Sequence, residues 1–175
     1  GNKLQLVSPN VNTEAMEEVF DNMHIANVKP RLRELNVPSD IDKKRWIWEL
    51  IQNAKDTIAL NSNRSEINIR IDIDGDVVKF RHDGAPFTPK ARYALLYKYS
   101  GGKENQESTG RFGTGFLTTH CLSKIVTIES NQYSNKECTE LCGFEVTMYR
   151  DGLIESELIE KLKKMRASEK FFQQT

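Results

Sequence analysis

Three polar side chains in the stretch Glu49-Leu50-Ile51-Gln52-Asn53-Ala54-Lys55-Asp56 are the first in this sequence with a spacing that could do chemistry. On a helix that advances about 100° per residue, Glu49, Asn53 and Asp56 fall within one narrow sector. An acid, an amide and a second acid offer oxygen ligands suited to a hydrated magnesium ion, together with a water-activating base. The ordinary alternative is an exposed helix face, and these eight residues alone do not decide between the two.

The element that must position them is a helix from about Ile41 to Leu60. Ile47, Leu50, Ile51, Ala54 and Ile58 recur at helical spacing and form an apolar stripe on the side opposite the acids. This predicts that the helix packs with the stripe and presents Glu49, Asn53 and Asp56 from its other face. Ser39 followed by Asp42 resembles a capping box at its start.

A second segment, Gly110-Arg111-Phe112-Gly113-Thr114-Gly115-Phe116, precedes a short helix through Leu117 and Leu122. Its glycines free backbone N–H groups to converge on one point, and the helix adds its positive end, so an anion such as a nucleotide phosphate chain is favoured. A structural turn is the alternative. The segment is not the Walker pattern, because no Gly-Lys-Ser/Thr follows, and no strand runs into it as in the Rossmann fingerprint. Before it lies a polar, glycine-flanked loop from Ser100 to Gly110 with no hydrophobic anchor, which has the length and composition of a lid.

Taken in order, the block from Glu49 to Asp56, then Asp83-Gly84, then Gly110 to Phe116 resemble the GHKL ATPases. That superfamily includes the B subunit of DNA gyrase, the ninety-kilodalton heat-shock chaperones, sensor histidine kinases and MutL. The resemblance covers about residues 40–130. The glycine segment is most similar to the chaperone version, and His82-Asp83-Gly84-Ala85-Pro86-Phe87 to the sacsin-type domains.

The resemblance implies an α+β domain spanning 1–175. It would be a two-layer sandwich, the Bergerat fold, with a mixed, mostly antiparallel sheet and helices on one face. Residues 1–38 would be a helical N-terminal extension and 99–110 a lid. ATP and Mg2+ are the implied ligands, and slow ATP hydrolysis coupled to lid closure is the implied activity. A nucleotide sensor that binds without hydrolysing is the alternative.

In this reading Glu49 polarises the attacking water, Asn53 holds magnesium and Asp56 supports the pocket. Asp83 and Gly84 line the adenine end. Gly110, Arg111, Phe112, Gly113, Thr114, Gly115 and Phe116 cradle the phosphates. Ser100, Gly101, Gly102 and Lys103 match the start of the chaperone lid. Lys103 and Arg111 either meet phosphate charge or are solvated. The sequence departs from the family in three places. With the glycine aligned, His82 takes the place of the adenine-reading aspartate, so Asp83 has taken over, His82 reads the base, or selectivity is reduced. Pro86 replaces a second glycine, and Phe87 packs against the base or the core. The family's later threonine is matched by none of Thr127, Thr147 and Thr175, which suggests a domain trimmed at its C-terminal end.

Composition sets broader bounds. The chain has 175 residues, 38% hydrophobic and 29% charged, with a formal net charge of zero. These values suit one globular domain and give no signal for nucleic acid or anionic membranes. Without a signal-peptide pattern the expected location is cytoplasmic. Cys121, Cys138 and Cys142 are an odd and sparse set, and Cys138 and Cys142, four apart, lack the second pair and the nearby histidine of a zinc site.

The remaining elements follow from local pattern. Residues 1–12 read as a lead-in with a turn at Ser8-Pro9-Asn10. A helix start at Thr13 leads into an amphipathic run with Met16, Val19, Phe20 and Met23. A second short helical piece with Leu32 and Leu35 lies between Pro30 and Pro38. These helices are an added layer or an arm toward a partner copy, and a transient homodimer through them or the lid is expected. Glu66 to Ile73 alternates as a half-buried strand, turns at Asp74-Gly75-Asp76 and returns through Val78 and Phe80. Thr88-Pro89 caps a helix bearing Ala91, Leu95, Leu96 and Tyr99. Lys124 to Ser130 and Cys138 to Tyr149 read as strands, and 153–166 as a charged amphipathic helix.

Overall fold

The computed structural model describes residues 9–59, 63–97 and 116–173. Helix α1 runs Pro9–Asn36 and α2 Asp40–Ala59, followed by strands β1 (Ile69–Asp74) and β2 (Val77–His82). Next come α3 (Pro89–Tyr97), a 3-10 helix (Phe116–Cys121), β3 (Ile125–Tyr133) and β4 (Leu141–Tyr149). Helix α4 (Glu155–Ser168) and β5 (Lys170–Gln173) complete the order. The strands form two small antiparallel ladders, the hairpin β1-β2 and the sheet β3-β4-β5. A single parallel bridge from Phe87 to Gln132 links the segment after β2 to β3.

The core gathers on one face of β4. Alternation points Phe144, Val146 and Met148 inward, and they meet Leu158, Leu162 and Met165 of α4. Ile25, Val28, Leu32 and Leu35 of α1 join the same cluster, as do Leu95 and Leu96 of α3 and Phe116 and Leu117. The other face of the sheet is more open. There Thr127 and Thr147, directly paired across β3 and β4, bond to each other at 2.9 Å. Phe172 lies over Gly143 so closely that a Cβ at that position would overlap its ring.

Several expectations need correction. Pro9 and Asn10 begin α1 instead of forming a turn, a position that proline tolerates because its missing N–H has no helical partner. Pro30 lies inside α1, so the two expected short helices are one. The carbonyl that loses its partner belongs to exposed Ala26, where water can take over. Met16, Val19 and Met23 are 54–70% exposed, on the side of α1 away from Ile25, Val28 and Leu32, and of the expected apolar run only Phe20 finds a partner, its ring edge-on to Tyr97 at 5.5 Å. The hairpin turns at Gly75, whose φ of 57° falls in the left-handed region that glycine tolerates. Its face is barely covered, with Ile73 76% exposed. Residues Lys170–Gln173 form a strand where only a chain end was expected, and their ladder with Cys142–Glu145 satisfies the outer edge of β4.

No described helix is long and apolar enough to cross a membrane.

Candidate functional site

The capping box at the head of α2 is present. Ser39 Oγ accepts from the Asp42 N–H at 3.1 Å and Asp42 Oδ2 from the Ser39 N–H at 3.3 Å. Arg31 of α1 also reaches Asp42, at 3.2 Å, and fixes the start of α2 against its neighbour. The rest of the helix is set by burial, but not as the stripe implied. Ala54 is fully buried on the apolar side, while Ile47, Leu50, Ile51 and Ile58 are only half-buried. Asp56, on the opposite side, is also buried, at 8% exposure. The C-terminal half of α2 is therefore covered on both sides, and the face expected to meet solvent turns inward.

The three polar residues have different surroundings. Glu49 is half-buried, and Arg45 one turn earlier donates from Nε to its carboxylate at 2.9 Å. Asn53 Oδ1 is buried with no hydrogen-bond partner among the described residues. Asp56 Oδ1 accepts from Gln52 Nε2 at 2.9 Å.

The segment leaving β2 lies directly on this helix. A Cβ on Gly84 would overlap the hydroxyl oxygen of Thr57, itself bonded to the Ala54 carbonyl at 2.7 Å. Only glycine allows this approach. It brings Gly84, with His82 and Asp83 beside it, to the Asp56 end of α2.

Asp83 does not face that junction with a free carboxylate. Its two oxygens accept from the backbone N–H and the side-chain amide of Asn68, each at 2.8 Å, and Arg64 pairs with it at 3.0 Å. The Asn68 bonds, assisted by Arg64, lower its pKa to about 2. Asp83 thus clips the end of β2 to the approach of β1. His82 Nδ1 accepts from the Gly84 N–H at 3.0 Å, which leaves Nε2 to carry the proton of the neutral ring. Desolvation lowers its pKa and favours that neutral form. Phe87 packs edge-on against Phe144 with ring centroids 5.6 Å apart, so of its two expected roles the core is the one seen.

Phe116 is buried in the core at the head of the 3-10 helix, which packs against α2. The other expected phosphate and lid residues, Ser100, Gly101, Gly102, Lys103, Gly110, Arg111, Phe112, Gly113, Thr114 and Gly115, lie outside the described residues, as do Leu60, Tyr99 and Thr175. The structure therefore seats Gly84, with His82 beside it, on Thr57, the residue after Asp56 and one turn beyond Asn53 on α2, with Glu49 a further turn back.

Sequence reasoning missed Thr57, Arg64 and Asn68. Thr57 had a signal, a hydroxyl at the end of an apolar stripe beside a small-residue turn. Arg64 and Asn68 had none, because the Asp83 clip forms across 15 or more residues. Compared with known proteins, the chain matches no family model, no curated protein and no solved structure.

Proposed function

We propose that the chain is an ATP-binding module that holds a magnesium-bound triphosphate beside α2 and hydrolyses it slowly, as its resemblance to the GHKL ATPases implies. In fold terms this reading makes it a Bergerat sandwich, and its cycle would drive a conformational or dimerisation switch of the chaperone-like or sacsin-like kind. The observation that carries the reading is Asn53 Oδ1. A buried amide oxygen without a partner costs roughly 1–3 kcal/mol, and an oxygen-seeking cation is a group that would satisfy it.

The residues present fit magnesium, with Asn53 as ligand and Asp56 in support. When bound, magnesium neutralises charge on the phosphates. Glu49 would accept the proton of the attacking water, and Arg45 would hold its carboxylate in place along the helix. Gly84 would let the backbone close over the base without a side chain in the way. With Asp83 engaged by Asn68 and Arg64, His82 Nε2–H is the hydrogen-bonding group left for the base, as a donor to a ring nitrogen.

The test combines thermal shift with ATP, with and without magnesium, and phosphate release. The wild type should show a magnesium-dependent shift. Glu49→Ala should keep the shift and lose about 100-fold or more in release. Asn53→Ala should lose the magnesium-dependent part of the shift. Normal release from Glu49→Ala removes the base assignment, and a wild type indifferent to ATP removes the nucleotide.

The engaged Asp83 and the Arg45–Glu49 pair favour one second reading, a sensor that binds ATP without hydrolysis. A wild type that is stabilised but releases no phosphate selects it.

A further inference from the structure

Helix α1 is apolar on two opposite sides. One side, with Ile25, Val28, Leu32 and Leu35, is buried in the core. Arg166 of α4 fixes that orientation, donating to Glu17 at 2.8 Å and to Asp21 at 2.7 Å. The other side carries Asn12, Met16, Val19, Met23, Ala26 and Pro30, all of them exposed. A helix apolar on both sides has a second face to cover.

The six exposed residues recur at alternating intervals of four and three, which is the spacing of a coiled-coil seam. None of them is charged, in a chain of which 29% is charged. The acids of this half of the helix, Glu14, Glu17 and Glu18, fall within about 60° of Asp21 and so on the far side from the seam. Of the positions that flank the seam, Thr13, Phe20 and Asn27 on one edge and Ala15, Asn22 and Lys29 on the other, only the last is charged.

We propose that this seam pairs with the same seam of a second copy of the chain, antiparallel, about a two-fold axis at the level of Asp21. The seam is its own complement in that register. Val19 falls against the partner's Met23, and Met16 against the partner's Ala26, so each central layer joins a larger side chain to a smaller one. A parallel pair would set Met16 on the partner's Met16 and Ala26 on the partner's Ala26, with one layer crowded and the next hollow. The antiparallel register also brings Asn12, an amide donor, opposite the partner's Pro30, where the Ala26 carbonyl has lost its helical donor. Lys29 comes near the partner's Ala15, so no like charges meet, whereas a helix with charged flanks would find no opposite charge here. The seam is about 27 Å long. That is short for a stable interface, so pairing should be weak, with a Kd in the micromolar range. It gives the expected homodimer a surface and a direction, and it uses no group of the nucleotide reading, so each can fail without the other.

The test is sedimentation equilibrium of the whole chain, without nucleotide, from about 1 to 300 μM. The wild type should pass from monomer to dimer. Val19→Lys and Met23→Glu should each raise the dimer Kd about tenfold or more, because each buries an unpaired charge in the seam. Both positions are exposed in the single chain, so the unfolding temperature of dilute protein should not change. Glu18→Lys, exposed but off the seam, should leave the Kd as it is. An equimolar mixture of the Val19→Lys and Met23→Glu chains should pair within about threefold of wild type, because only the antiparallel register sets the new cation against the new anion. A mixture that pairs no better than its components overturns the register, and a Val19→Lys chain that pairs normally overturns the seam. A wild type that stays monomeric throughout overturns the proposal, and if it then co-sediments with phosphatidylglycerol vesicles the occupant is a membrane surface instead.

Discussion

Strands β4 and β1 have similar alternating patterns and opposite fates. In β4 the inward set, Phe144 and Val146, is fully buried beneath helices. In β1 the corresponding set includes Ile71 and Ile73, 37% and 76% exposed. Alternation sets which side chains share a face, but burial of that face needs another element to cover it. Around β4 that cover is supplied by α1, α3 and α4. On the candidate-site side, the contacts are polar clips and backbone approaches: the Ser39–Asp42 box, the Asp83–Asn68–Arg64 cluster and Gly84 on Thr57. A well-packed half therefore adjoins a lightly fastened one. Elements that move on ligand binding are drawn from such low-stability regions.

Substitutions should sharpen this contrast. Phe144→Ala should cost about 3–5 kcal/mol in urea unfolding, whereas Ile73→Thr should change stability by less than about 0.5 kcal/mol. Comparable losses at both positions would erase the distinction.

Acid should attack the packed half next. His24 and His120 are buried there, and burial lowers each pKa from 6.5 to about 4. Their folded values lie below the unfolded one, so the unfolded chain takes up these protons first. Stability should be full above pH 6.5, fall by about 3 kcal/mol for each histidine as pH drops toward 4, and gain no further loss from them below that. Replacing His120 with Gln, which can keep a bond to Asn36, should flatten the slope in this window. A slope unchanged in that variant would show that the protons are taken up elsewhere.

The smallest effect is expected at the head of α2. Ser39→Ala removes the side-chain acceptor for the Asp42 N–H and should cost about 1 kcal/mol. If amide exchange then quickens in α2 and not in α4, the fastening of the lighter half is as local as its contacts indicate.

Features carried by neighbours in the chain were the legible ones. The Ser39–Asp42 box, the Thr88 cap with its 3.1 Å bond from the Ala91 N–H, the turn at Gly75 and the length of α2 all depend on residues two to four apart. What sequence could not supply was long-range. Nothing near Pro30 says that α1, packed on α4 and the 3-10 helix, will continue through it as one helix. Nothing near Phe171 says that Cys142–Glu145 offers a free edge. The site divides in the same way. The common face of Glu49, Asn53 and Asp56 was readable, whereas its burial and the diversion of Asp83 to Asn68 depend on distant partners.

Gly84 sits so close to Thr57 that helix and hairpin have no slack between them. A tilt of α2 must be passed by steric contact into β2, and through the ladder into β1. The exposed amides of that ribbon can then serve as a remote gauge of what happens at Asn53, legible by isotope exchange without a label near the cleft.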